Sequence, residues 1–284
     1  MKNNLKTAVI LAAIGGLMIV VGGAIGGTSG AAIGMVIGLV FVGGSYWFSD
    51  RLAIRAAGAV EVTEAQMPRY FAIVRDLCQR ADMPMPRLYV SPDPQPNAFA
   101  TGRGPDHAAV CVNQGILDVL SWEELQGVLA HEISHVANRD ILISSVAAAV
   151  AMGITFTARM AMWGAMFGGG GGDRDRNNNV FGALALAILA PMAAMFLQMA
   201  LSRSREYEAD RQGARLLGTG EPLARALEKL DRGTRMVPSR VDPAHATAYI
   251  ANPLAGQKAQ LAKFFASHPP MEDRIARLRS DGWR

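Results

Sequence analysis

The sequence predicts a mostly helical α+β protein in which a helical membrane bundle is joined to a domain with a small β-sheet. Half of its 284 residues are hydrophobic and only 18% are charged, and the mean hydropathy of +0.17 is high for a soluble protein. The apolar residues concentrate in four blocks, each close to the ~20 residues that cross about 30 Å of hydrocarbon. The polar remainder combines helical periodicity with two short strand-like segments.

The first two apolar blocks predict a membrane hairpin over residues 1–50. The four blocks are Thr7–Gly26, Ala31–Phe48, Ile143–Phe167 and Phe181–Leu201. A cleaved signal peptide is the alternative for the first block, because Lys2 and Lys6 precede it. The second block follows at once, without a polar domain between them, and this favours the hairpin. The many glycines of these blocks suit close helix packing, although a glycine-rich membrane composition explains them equally well.

The charges that flank the first two blocks predict their orientation. Lys2 and Lys6 precede the first block, Arg51 and Arg55 follow the second, and the connector GGTSG carries no charge. The positive-inside rule therefore places the N-terminus and everything after Asp50 in the cytoplasm.

The other two blocks predict a second apolar helical hairpin over residues 143–201. Its arms are joined by GGGGGDRDRNNN, a flexible loop whose two Asp and two Arg cancel. Arg159 and the many Ala and Met residues leave open an interfacial or protein-buried hairpin instead. Both alternatives return the chain to the same side at Ser202. Regions 51–142 and 202–284 are therefore expected to form one cytoplasmic domain that the hairpin splits in sequence.

The first polar region predicts helices and two short strands. Helical periodicity with one apolar face runs from Thr63 to Ala81. RLYVSP at 87–92 and AAVCVNQG at 108–115 are typical of strands bounded by Pro and Gly. A further helix begins after Ser121, an N-cap with Glu124 three residues on, and it is expected to continue, or nearly so, into the third apolar block. In the second polar region, two segments are expected to be helical: SREYEADRQGARLL and MEDRIARLR.

Charge and cysteine content exclude some classes of function. The net charge is +4 and the pI is near 9.3, but the basic residues are scattered among acids and form no stripe with interleaved aromatics. We therefore expect no nucleic-acid partner and interpret the charge as a solvated or membrane-facing surface. Cys78 and Cys111 lack a metal-type CxxC partner. They are expected to be free thiols in a reducing compartment.

The segment VLAHEISHVANRD, residues 128–140, carries the chemistry. His131 and His135 are four residues apart, so a helix presents both imidazoles on one face and to a single ion. Glu132 lies about 100° round the helix, where it reaches a water at the metal without being a ligand. Imidazole ligands suit one Zn²⁺ ion. The alternative is a core helix with incidental histidines, which would need buried partners of their own.

A catalytic zinc takes three protein ligands and leaves one position open. The third ligand must come from elsewhere in the chain, and SREYEAD, after the fourth apolar block, offers two glutamates, Glu206 and Glu208. Zinc would polarise the scissile carbonyl and acidify the attacking water. Glu132 would take the water proton and pass it to the leaving amine.

Four motifs together resemble the HtpX family, bacterial membrane metallopeptidases related to the CAAX prenyl proteases. They are NAFATG at 97–102, HExxH at 131–135, Glu-x-x-Ala-Asp at 206–210 and SHPPMEDR at 267–274. The resemblance covers essentially the whole chain. It implies a gluzincin zinc-metallopeptidase domain built from 51–142 and 202–284, in the bacterial inner membrane with the active site facing the cytoplasm. It also implies polypeptide substrates, namely misfolded or damaged membrane proteins.

The resemblance assigns the third ligand and its support. Glu206, not Glu208, is the first residue of the motif Glu-x-x-Ala-Asp and is therefore implied as the third zinc ligand. Asp210 lies on the same helical face and would hold the other N–H of a ligating histidine. A surface carboxylate paired with a nearby Arg is the alternative for Asp210. Asp140 is a weaker candidate for a similar part.

The resemblance also implies groups that contact the substrate. NAFATG resembles a sheet edge to which an extended peptide adds as another strand, and Asn97 would fix that peptide near the scissile bond. An ordinary turn after SPDPQP is the alternative for this segment. In SHPPMEDR, His268 would donate to the developing oxyanion and Arg274 would brace the site.

The sequence is also compatible with other functions. A catalytically idle zinc-binding membrane scaffold is one, and a prenyl-protein-type protease is another, although that branch has more than four spans. A transporter is disfavoured because the apolar blocks lack acidic residues or histidines for an ion path.

Overall fold

The computed structural model of the chain describes residues 2–142, 203–236, 269–280 and 282–284. The hairpin expected at 143–201 and the expected oxyanion donor His268 lie outside these residues. The described part is mostly helical with one small sheet, which confirms that part of the predicted fold class.

The N-terminal segment is helical from Lys2 to Ala56 (α1), but its backbone reverses at Gly27, where φ is +60°. A Cβ atom at Gly23 would lie 3.5 Å from Cβ of Ala31, and one at Gly38 would lie 3.3 Å from Cβ of Met18. The two arms of α1 therefore lie side by side, in contact at glycines. Within the described ranges, no helix meets the combined length and hydropathy that a membrane crossing requires.

Four strands form one sheet in the order β1-β2-β4-β3. The strands β2 and β4 are parallel, whereas β1 and β3 pair antiparallel with β2 and β4 respectively. The segment NAFATG thus contains a strand at the sheet edge, not an ordinary turn. The strands are β1 (Val60–Glu61), β2 (Arg87–Ser91), β3 (Ala98–Gly102) and β4 (Ala108–Asn113).

Helices pack against the sheet, and further helices continue the domain after residues 143–202. The helix expected from Thr63 begins at Pro68, because Gln66 accepts hydrogen bonds from the backbone N–H and hydroxyl of Thr63 in a separate turn. The helices are α2 (Pro68–Arg80), α3 (Gln114–Val119), α4 (Trp122–Ala137), α5 (Arg203–Leu217), α6 (Glu221–Met236) and α7 (Met271–Arg279).

The central helix α4 begins with the expected capping box. Glu124 accepts from the backbone N–H of Ser121 at 2.7 Å, and the Ser121 hydroxyl accepts from the backbone N–H of Glu124 at 3.3 Å. The helix ends at Ala137, and the chain is helical again at Ile141 and Leu142, directly before the third apolar block, which lies outside the described residues.

One hydrophobic core joins α4 to α2, the sheet, α5 and α6. Gly127 lets α6 approach closely, since a Cβ at this position would lie 2.4 Å from the backbone N of Leu223. Cys78 and Cys111 are buried free thiols, as expected. Burial raises the pKa of Cys78 to about 11 and that of Cys111 to about 12, so both stay protonated and unreactive.

Candidate active site

Two histidines of α4 meet at the centre of the domain. The Nε2 atoms of His131 and His135 lie 3.2 Å apart, and their rings are perpendicular. His131 is buried and His135 is only slightly exposed. The spacing of four residues puts both rings on one face of the helix.

A carboxylate from α5 completes this group. The Oε2 atom of Glu206 lies 3.7 Å from Nε2 of His131, and its Oε1 atom lies 3.4 Å from Nε2 of His135. One ligand atom from each of the three residues can be chosen so that all lie within 4.8 Å of one another. Zinc bonds of 2.0–2.2 Å at tetrahedral angles place ligand atoms about 3.4 Å apart. Two imidazoles and one carboxylate at these separations therefore fit a zinc ion.

Close packing of α5 on α4 brings Glu206 to the histidines. A Cβ at Gly213 would lie 3.0 Å from the backbone N of His131 and 3.1 Å from the carbonyl carbon of Ala130. Gly213 follows Glu206 by seven residues, which is two helical turns, so the two residues share a face of α5.

Asp210 supports His131 from the side opposite the ligand group. Its Oδ1 atom lies 2.9 Å from Nδ1 of His131, although the ring N–H is not well aligned for a strict hydrogen bond. Arg274, on α7, is fully buried and donates two hydrogen bonds to this carboxylate, at 2.8 and 2.7 Å. Burial works to raise the pKa of Asp210, but Arg274 outweighs it and lowers the pKa to about 2.

The end of α4 places a second carboxylate against His135. The backbone N–H of Asp140 donates to the carbonyl of His135, and that of Arg139 donates to the carbonyl of Val136. This pair of bonds is a Schellman motif, with Arg139 in the left-handed position at φ 59°. It turns the chain back so that Oδ2 of Asp140 lies 3.5 Å from Nδ1 of His135.

These carboxylates change the charge of His135. Burial disfavours its imidazolium, but Asp140 and Glu206 outweigh that effect and raise the pKa to about 10. Without metal, His135 is therefore protonated at neutral pH.

Glu132 is held next to the ligand group and the sheet edge. Its Oε2 atom accepts a hydrogen bond of 2.9 Å from the backbone N–H of Ala100, in β3. The side chain is buried, and this burial raises the pKa of Glu132 above its ordinary value. A carboxylate with a raised pKa holds a proton more readily, as a general base that later becomes an acid must do.

Comparison with known proteins decides the family. The sequence profile of peptidase family M48 matches residues 64–281. The chain belongs to peptidase family M48. A protein named "Protease HtpX homolog" from Syntrophobacter fumaroxidans is 48% identical over 283 residues, covering 99% of this chain and 100% of that one. Another of that name from Pseudarthrobacter chlorophenolicus is 50% identical, covering 97% of this chain and 95% of that one. The chain is thus an HtpX-type M48 metalloprotease.

A solved structure shares the fold of this M48 chain. The crystal structure of S. mikatae Ste24p aligns with a TM-score of 0.53 at 17% sequence identity. The alignment covers 98% of this chain but only 65% of that one, so the chain spans about two thirds of the length of Ste24p.

β3 is an edge strand of the sheet that the structure describes. The backbone N–H of Asn113 donates to the carbonyl of Asn97, so in the antiparallel pattern the peptide groups of Ala98, Ala100 and Gly102 point away from β4. Asn97 itself is 1% exposed, at the start of this edge strand. Glu132 contacts the same edge through Ala100.

The structure brings Glu206, the ligand that the resemblance implied, and not Glu208 to the two histidines. Glu208 points away from the ligand group, where its carboxylate accepts hydrogen bonds from Arg211 and Gln212. The backbone N–H of Ala100 and the packing of Gly213 were missed by sequence reasoning. Gly213 could have been found, because it lies two turns after Glu206 on the same helical face.

Proposed function

We propose that this M48 metalloprotease is an integral membrane zinc endopeptidase of the bacterial inner membrane. Its substrates would be misfolded or damaged membrane proteins, cut on the cytoplasmic side. The observation that carries the zinc-dependent activity is the convergence of two imidazoles and one carboxylate at 3.2, 3.4 and 3.7 Å. These separations match the edges of a tetrahedral zinc site, with a fourth position left for water or substrate.

His131, His135 and Glu206 would hold the zinc. When bound, zinc supplies Lewis acidity, which polarises the scissile carbonyl and makes water more acidic. Asp210 and Asp140 face the Nδ1 atoms of His131 and His135, so each fixes the orientation of one ring. Arg274 in turn fixes Asp210 with two charge-assisted hydrogen bonds.

Glu132 acts as the proton carrier in this proposal. It accepts a proton from the attacking water and donates it to the leaving amine. Its hydrogen bond to Ala100 sets it at the edge to which the peptide adds, so the peptide and the base meet at one place. His268, which directly precedes Pro269 and Pro270 at the start of α7, would donate to the developing oxyanion. Asn97 would contact the peptide near the scissile bond.

The catalytic part is tested with Glu132→Gln in the full-length protein purified in detergent. We expect zinc content near that of the wild type by elemental analysis and loss of casein cleavage, because Glu132 is a base and not a ligand. Wild-type cleavage should disappear with a chelator and return with added zinc. An active Glu132→Gln protein, or one that has lost its zinc, would contradict the roles assigned here. A wild type that binds zinc but cuts nothing would favour the idle scaffold.

The membrane part rests on the apolar composition of α1 and on its flanking charges. Thr28 lies in the uncharged connector, whereas Arg51 and Arg55 follow the second apolar block. Single cysteines in intact cells test the orientation, in a background where Cys78 and Cys111 are replaced by Ala. Thr28→Cys should react with a membrane-impermeant thiol reagent from the periplasm, as should a cysteine placed within 170–178. Arg103→Cys should react only after lysis, and periplasmic labelling at this position would overturn the orientation.

A further inference from the structure

The C-terminal end of α1 carries an exposed face of mixed aromatic and basic character. Trp47, Phe48 and Leu52 are 59%, 50% and 43% exposed, and Arg51 and Arg55 are exposed beside them. Spacings of three and four residues put the set on one side of the helix. We call this surface the boundary face, and it consists of Trp47, Phe48, Arg51, Leu52 and Arg55.

The order of residues in the boundary face matches a helix that leaves a bilayer. Trp and Tyr side chains are enriched at the level of the headgroups, where Trp47 would lie, and arginines follow on the cytoplasmic side. The guanidinium of Arg51 lies 5.8 Å from the centre of the Phe48 ring, so the basic and aromatic parts are contiguous. Arginines at this level attract anionic headgroups.

The boundary face is attached to the outer end of the substrate-binding edge. Arg103 directly follows the last residue of β3, and its guanidinium lies 4.4 Å from the centre of the Trp47 ring. A second attachment holds the neighbouring part of the sheet, because Arg87 in β2 pairs with the largely buried Asp50 at 3.0 Å. These two contacts set the height of the sheet relative to the end of α1.

The path from the boundary face to the catalytic base is short. Ala100, whose backbone N–H donates a hydrogen bond to Glu132, precedes Arg103 by three residues. At about 3.3 Å per extended residue, the separation along β3 is about 10 Å. A peptide added to this edge therefore covers the distance from Arg103, whose guanidinium contacts Trp47, to the base in about three residues.

We propose that the site is specific for the extended segment of a membrane protein that directly adjoins its membrane span. Such a segment runs along β3 from the Gly102 end, and the cut bond lies about three to six residues from the span. This inference rests on the proposed function, since it assumes both the membrane and the peptidase activity. The physical reason is the effective concentration of the cleavable segment at the active site. A segment too close to its span cannot reach the base. Beyond the length that just reaches it, the effective concentration falls as about the −3/2 power of the length that tethers the segment to the span.

The test uses the full-length enzyme in liposomes with single-span substrates. Each substrate carries the same cleavable peptide, joined to the span by flexible linkers of about 4, 10 or 30 residues, and a linker of about 4 residues has a mean reach of about 10 Å. We expect the initial rate at about 30 residues to be roughly twentyfold lower than at about 4 residues. Casein in detergent serves as the untethered reference.

Variants of the boundary face link the rate profile to the structure. Trp47→Ala removes the partner of Arg103 and should flatten the dependence on linker length while leaving casein cleavage unchanged. Phe48→Ala is the matched control, because Phe48 contacts Arg51 of its own helix, and it should keep the wild-type profile. Equal rates at all linker lengths, with casein still cut, would overturn the inference alone. A profile unaffected by Trp47→Ala would overturn the role of its contact with Arg103. Loss of casein cleavage in the wild type would instead refute the proposed function.

Discussion

Gly213 of α5 packs directly on the backbone of His131 in α4, at a separation that a larger side chain would have to widen by a few tenths of an ångström. A Cβ here would lie 3.0 Å from the backbone N of His131, tighter than ordinary van der Waals contact. Glu206 is two helical turns away on the same face of α5, so this contact sets how far its carboxylate lies from the imidazoles.

We therefore expect Gly213→Ala to push α5 outward and to weaken zinc binding on the order of tenfold. Gly127→Ala is the matched control, since a Cβ there would meet Leu223 of α6 and would leave α5 in place. The control should lower the thermal unfolding temperature but keep the zinc affinity of the folded protein. Zinc competition assays and thermal unfolding in detergent measure the two effects. An equal loss of zinc affinity in both variants would show that the damage is general.

Glu206→Ala should abolish tight zinc binding and activity together, because two histidines make an incomplete site. Glu208→Ala should retain both within a few-fold, since Glu208 binds Arg211 and Gln212 on another side of α5. Metal analysis after dialysis and casein cleavage provide the measurements. Metal lost from Glu208→Ala but kept in Glu206→Ala would mean that α5 faces the other way.

Zinc binding should release about one proton from His135 at neutral pH. The pKa of His135 in the metal-free protein is raised to about 10, and a ligand imidazole must be neutral. The apparent zinc affinity should then rise with pH above neutral, by up to about tenfold per pH unit, until the zinc ion itself binds hydroxide near pH 9. Calorimetry in two buffers of different ionisation enthalpy counts the protons.

Asp140→Asn should reduce this proton release, because the carboxylate that favours the imidazolium is gone. Arg139→Gly is the control, as it keeps Asp140 and suits the left-handed position, and its proton release should match the wild type. Unchanged release in Asp140→Asn would remove Asp140 from this role. In the metal-free protein, the raised pKa of His135 contributes stability that is complete below about pH 6.5 and is lost as pH rises through about 10.

Arg274→Ala should destabilise the protein by about 3–5 kcal/mol, because it leaves the carboxylate of Asp210 buried without its partner. The double variant Asp210→Ala with Arg274→Ala should cost less than the sum of the two single changes. Thermal unfolding in detergent tests this, and additive losses would contradict a direct coupling. The pKa of Asp210 is lowered to about 2. Its carboxylate therefore contributes folding stability that is complete above about pH 3.8 and is lost as pH falls through about 2.

Local features of the site were readable from the sequence because helix geometry is local. His131 and His135 share a face since they are four residues apart, and Ser121 with Glu124 marks the start of their helix. The edge strand within NAFATG was expected from its resemblance to a family motif. The start of α2 at Pro68 was missed, because periodicity does not register the side-chain hydrogen bonds between Thr63 and Gln66.

By itself, the sequence determined the pair of histidines, the base beside them and the helices that carry them. The tertiary structure decided which carboxylate of α5 faces them, that the turn after Arg139 returns Asp140 to His135, and that Ala100 holds Glu132. These relationships depend on how closely separate elements approach, and Gly213 sets that approach for α5. Helical periodicity specifies which residues share a face, but packing determines what that face meets.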